Sequence, residues 1–113
     1  MKLHEEGGAK NGLTQQTNLT EKGQIVNGRT FPAGATNQHD ILTGSTIDGM
    51  LKTGMTCSDW TAATGSSYVG HSDRMGTQAD PVTMASWNSS HDGLCNDTSQ
   101  RGGAGRFYCF ATN

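Results

Sequence analysis

Apolar side chains are scarce in this chain: the hydrophobic set supplies 32% of the residues and aromatics 6%, too little for a large core. No run approaches the roughly 20 apolar residues that span a bilayer as a helix, so no membrane insertion is expected. The opening residues Met1 to Gly8 carry no apolar stretch of the kind that marks a signal peptide. Lysines and arginines are few and scattered, and the net charge is -2. No basic run offers a groove for nucleic acid or a patch for an anionic membrane. There is no C-x-x-C pair, which argues against a zinc ribbon or a thioredoxin-like site. There is no Gly-x-Ser-x-Gly elbow to single out a nucleophile. Gly102-Gly103-Ala104-Gly105 lacks the Gly-Lys-Ser/Thr ending of a phosphate loop and reads as a turn into a final strand.

Glycine, serine, threonine and asparagine are what the chain has in quantity. Sixteen glycines in 113 residues imply many turns around a small core, within one domain. A domain of this size buries only about two-thirds of the surface its unfolded chain exposes. So thin a core favours a covalent staple. The cysteines are Cys57, Cys95 and Cys109. An odd count leaves three readings open: one bridge plus a thiol, a partner missing from the chain, or three free thiols.

Residues 1–24 show neither helical nor strand periodicity and read as an irregular lead-in or tail; residues 25–113 form the domain proper. Strands are expected at Gln24 to Arg29, His39 to Gly44, Met55 to Thr61 and Gly105 to Ala111, with Ser66 to His71 a strand or an extended loop. Residues 72–86 read as a long loop, since Pro81 bars a central strand. Cys95 falls in a polar stretch after Trp87, and no amphipathic helix or internal repeat emerges.

Three segments follow in a fixed order: Cys57-Ser58-Asp59-Trp60, then Trp87-Asn88-Ser89-Ser90 with Cys95 downstream, then Phe107-Tyr108-Cys109-Phe110-Ala111. That order resembles the second half of the C-type-lectin-like fold, and its Cys-x-x-Trp element is similar to endostatin of the same superfamily. The run from about Asn18 to Asn113 also resembles bacterial secreted lectin-like domains, through Asn37-Gln38-His39-Asp40-Ile41-Leu42-Thr43-Gly44 and Gly70-His71-Ser72-Asp73-Arg74. The resemblance implies an α+β fold of mostly short antiparallel strands and long loops, without the family's N-terminal helices. It implies a Cys57–Cys95 bridge, closing a loop of roughly 40 residues for about 3 to 4 kcal/mol. Its outer bridge would leave Cys109 without a partner. The chain is therefore expected to be the C-terminal portion of a secreted or cell-surface protein, with the export signal upstream.

Sugar-binding members hold calcium through oxygen ligands on a Glu-Pro-Asn or Gln-Pro-Asp loop and a Trp-Asn-Asp strand. Here Ser89 follows Trp87-Asn88, and no such loop precedes Cys57. A calcium site is not supported, and Trp87 is expected in the core. Histidines stand near aspartates at His39-Asp40, at His71 and Asp73, and at His91-Asp92. Imidazole and carboxylate can bind zinc or pass a proton. Such neighbours also satisfy each other in loops, and no His-x-x-x-His or His-Glu-x-x-His spacing occurs. No cofactor is expected, zinc being the runner-up. The chain reads as a non-catalytic extracellular recognition module for a glycan or protein surface. His71, Asp73, Arg74, Asn88 and His91 are the candidate binding residues. A structural end module of a larger surface protein and a metal-dependent enzyme are the alternatives.

Overall fold

Ile41 and Leu42 on one segment, and Val69 on another, supply β-branched and aliphatic side chains, and both segments become strands. In the computed structural model, which describes residues 17–28, 32–74 and 86–110, four strands form one sheet. They are β1 (Asp40–Leu42), β2 (Ser66–His71), β3 (His91–Leu94) and β4 (Gly103–Arg106), in spatial order β3-β2-β1-β4. β2 pairs antiparallel with β1 and β3, while β4 runs parallel to β1 with a register shift between Asp40 and Ile41. The sheet is thus mixed, with two of its three pairings antiparallel. A parallel neighbour needs a crossover connection, and the chain between β1 and β4 supplies it.

Among the described residues, helix is confined to a 3-10 turn, Thr98–Arg101, and a single turn at Cys57–Trp60. The first is capped by the Asp97 side chain and closed by Gly102, whose φ of 96° suits a residue without a Cβ. The second replaces the strand expected at Met55 to Thr61. All four of its residues have positive φ, between 50° and 66°, so it winds left-handed. Threonine, cysteine and tryptophan favour a pleat, but here tertiary constraint overrides that preference. Cys57 is bonded to Cys95, and the Thr56 hydroxyl accepts from the Asp59 amide at 3.0 Å.

Two further expectations shift. Residues 24–28 make only an isolated bridge, Leu19 to Ile25, and Arg29 lies outside the described residues. The final strand ends at Arg106, before the aromatic run, and begins two residues earlier than expected. β3 was not anticipated, since His91-Asp92-Gly93-Leu94 has no strand-like composition. Residues 1–16, within the expected lead-in, and 75–85, within the expected long loop, also fall outside the described residues.

The interior is more polar than apolar. Among the described residues, Val26, Ile41, Cys57 and Val69 are the buried hydrophobic side chains. Buried beside them are Ser67, Ser86, Asn88, Ser89, Ser90, His39, Asp40 and His71. Residues 86–90 satisfy one another: Ser86 Oγ receives the amides of Asn88 and Ser89 and donates to Asn88 Oδ1, while Ser90 Oγ donates to the Ser86 carbonyl at 2.6 Å. This coil lies on the sheet so closely that a Cβ on Gly70 would stand 1.8 Å from the Trp87 carbonyl oxygen. Only glycine fits there.

Candidate functional site

Strand register assembles a cluster that sequence spacing hides. Asp40 is paired with His71 across β1 and β2, and His91 with Val69 across β2 and β3. Directly opposed residues share a face, as do residues two apart on one strand. Asp40, His71 and His91 therefore point to the same side at one end of the sheet. His39, just before β1, stacks its ring on His71 with centroids 3.9 Å apart.

The Asp40 carboxylate is the hub. Its Oδ1 lies 3.1 Å from His71 Nε2 and 3.4 Å from His39 Nε2, and its Oδ2 lies 3.5 Å from His91 Nε2. The Nε2 atoms of His71 and His91 approach to 3.0 Å. Two outer contacts fix the rings. His39 Nδ1 is 2.7 Å from Asp73 Oδ1, and His91 Nδ1 is 2.8 Å from the Asp92 carbonyl oxygen. Burial pushes the Asp40 carboxyl up, but the His71 and His91 contacts outweigh it and hold it below its ordinary value. The contact with Asp40 raises His91, against burial and with help from the Asp92 carbonyl. Nearby, the Tyr108 phenol donates to the Trp87 carbonyl at 2.9 Å and is pushed far up, by burial first and by the Asp73 and Asp40 charges second.

Of the residues singled out from sequence, His71, Asp73 and His91 come together here, and Arg74 attends them. Arg74 Nη1 lies 3.4 Å from Asp73 Oδ2 and donates to the Asp73 carbonyl. Asn88 stands apart from the histidines in its bonding. It is buried, and its amide donates to Ser45 Oγ and to the carbonyls of Thr46 and Ile47, tying one loop to the coil beneath it. In sequence His39 and Asp40 form only a neighbouring pair outside the candidate binding set; strand pairing makes Asp40 the centre. His91 and Asp92 do not pair by side chains, because the Asp92 carboxylate instead accepts from Arg101 at 3.1 Å on the surface.

The bridge between Cys57 and Cys95 is formed, with the Cα atoms 5.8 Å apart, and Cys109 is a free, exposed thiol. Beyond the bridge, the left-handed turn holds Trp60 40% exposed, edge-on to Phe107 at 5.0 Å. Phe107 is 55% exposed and lines a cleft of about 560 Å³, floored by Val26 and Ile41. Trp87 is half-buried rather than enclosed, packed on Tyr108 and Phe110 at 5.7 and 6.0 Å. No described helix is long and apolar enough to cross a membrane.

No family model matches the chain, and no match emerges among curated proteins or among solved structures. Its class rests on its own features: a disulfide-stapled domain with a four-stranded mixed sheet, very little helix and a buried histidine–aspartate cluster.

Proposed function

We propose that this chain is a non-catalytic, C-type-lectin-like recognition module of a secreted or cell-surface protein, binding a glycan or a protein surface. The observation that carries this reading is the left-handed turn Cys57–Trp60. A left-handed conformation costs roughly 1–2 kcal/mol for each residue that has a Cβ. Four successive non-glycine residues in that region are kept only where surrounding structure over-determines them, and such strain gathers at binding sites. Here the turn holds up Trp60 against Phe107, and Phe107 in turn lines a cleft whose volume suits a small ligand. Exposed aromatics with one well-defined rotamer are the side chains that dominate recognition surfaces.

One feature favours a binding role over an enzymatic one, and another favours a secreted or cell-surface setting. The densest described group of titratable side chains is enclosed, with His39, Asp40 and His71 each under 6% exposed, so a substrate would not reach them. The disulfide favours an oxidising compartment. The test is to display the chain, and its Trp60→Ala and Phe107→Ala variants, to immobilised glycans and to extracellular proteins. Binding by the parent that each variant loses, with the disulfide still formed, supports the reading. Parent binding that both variants keep, while an Asp73→Ala/Arg74→Ala double variant loses it, would move the site to the cluster end.

A further inference from the structure

The hydrogen-bond roles at the cluster can be worked out from its outer contacts. A carbonyl oxygen only accepts, so His91 Nδ1 must carry the proton that meets the Asp92 carbonyl. An ionised carboxylate likewise only accepts, so His39 Nδ1 carries the proton that meets Asp73. In a neutral imidazole the other nitrogen then bears a lone pair. Both lone pairs, on His39 Nε2 and His91 Nε2, are presented to the Asp40 carboxylate at 3.4 and 3.5 Å. Acceptors then face acceptors in a buried place unless a proton or a metal cation stands between them. Consistent with this, neither Asp40 oxygen has a hydrogen-bond partner of good geometry, although the side chain is 3% exposed. A buried carboxylate is ordinarily paired and hydrogen-bonded, or coordinates a metal.

We propose that this end of the sheet is a structural centre for one divalent cation of the zinc class, with His39, Asp40, His71 and His91 as ligands. Nitrogen and oxygen donors in this mix suit zinc rather than calcium. Zinc holds its ligands at about 2.0–2.2 Å, so a tetrahedron around it has edges of roughly 3.3–3.6 Å. The contacts of His39, His71 and His91 with Asp40, and of His71 with His91, span 3.0 to 3.5 Å. The ligand atoms of His39, Asp40 and His71 all lie within 4.8 Å of one another; His91 joins them through Asp40 and His71. The outer contacts are those that orient metal-bound histidines: Nδ1 donates to a carboxylate for His39 and to a carbonyl for His91. Coordination by both stacked rings asks His39 to tilt away from His71. The centre joins three adjacent strands and is nearly shut from solvent, His91 being the most exposed of the four at 18%. It therefore serves as a cross-link, independent of what the aromatic face binds.

The test uses the full chain made in an oxidising compartment, stripped with a chelator, then titrated with zinc chloride and separately with cobalt chloride. The expected result is one zinc per chain, a raised melting temperature, and the strong visible bands of four-coordinate cobalt. His91→Ala, altering the most exposed ligand, should weaken zinc binding about 100-fold, and Asp73→Asn about 10-fold, both with the disulfide intact. The proposal is overturned if the parent chain takes up no zinc, shows no cobalt bands and melts at the same temperature with and without the ion. Zinc binding unchanged in His91→Ala would overturn the four-ligand assignment.

Discussion

At the Ser66 end of β2, Cys95 hydrogen-bonds the Gly65 carbonyl and bridges to Cys57. At the His71 end, five residues later, no disulfide is present among the described residues, and three imidazoles crowd one carboxylate. The two ends answer the same shortage of apolar side chains in different ways. A disulfide acts mainly on the unfolded chain, so its neighbourhood can tolerate a strained turn with an exposed tryptophan. A buried polar cluster is stable only when every member is satisfied; the Asp40 oxygens have no hydrogen-bond partner of good geometry, and the proposed cation would satisfy them. The contrast separates the surface proposed to bind from the cluster proposed to hold the sheet together.

Four variants sharpen or break that division. Replacing both Cys57 and Cys95 by serine should have the largest effect, about 4 kcal/mol in urea denaturation for a loop closed over 38 residues. Binding through Trp60 should be lost with it. Asp40→Ala should cost about 3 kcal/mol, since it leaves desolvated imidazoles without their carboxylate, while Trp60 fluorescence in the folded state stays unchanged. An equal disturbance of Trp60 by both changes would dissolve the contrast. Thr56→Val should cost about 1 kcal/mol, because the hydroxyl both accepts from the Asp59 amide and donates to its carboxylate. Arg101→Ala, which breaks an exposed pair with Asp92, should change stability by less than about 1 kcal/mol.

Sequence and structure agree where one physical signal dominates. Ile41 and Leu42 announce β1, while Ser66 to His71, open between strand and extended loop in the sequence, forms β2. The family resemblance supplied the Cys57–Cys95 pairing, which spacing alone left open. β3 escaped notice because its four residues are held by pairing with β2 rather than by their own preference. The turn at Cys57–Trp60 escaped for the converse reason: local preference for a strand is real, but the bridge and the Thr56 hydroxyl outweigh it. The histidine cluster was half legible. Neighbouring His-Asp pairs were visible, yet the contacts that matter join residues 20 to 51 positions apart, and only strand register brings them together. Asn88 looks ligand-facing in sequence because an amide can meet a hydroxyl; in the fold that amide is engaged by three groups of the 45–47 loop.

Hydrogen exchange read by mass spectrometry, on the intact chain with zinc, with chelator, and with reductant, tests the division of labour most directly. The account predicts that reductant first deprotects residues 57–67 and 93–95, while chelator first deprotects residues 39–41, 70–72 and 90–91. Exchange that rises uniformly across the sheet under reductant and does not respond to chelator would contradict it.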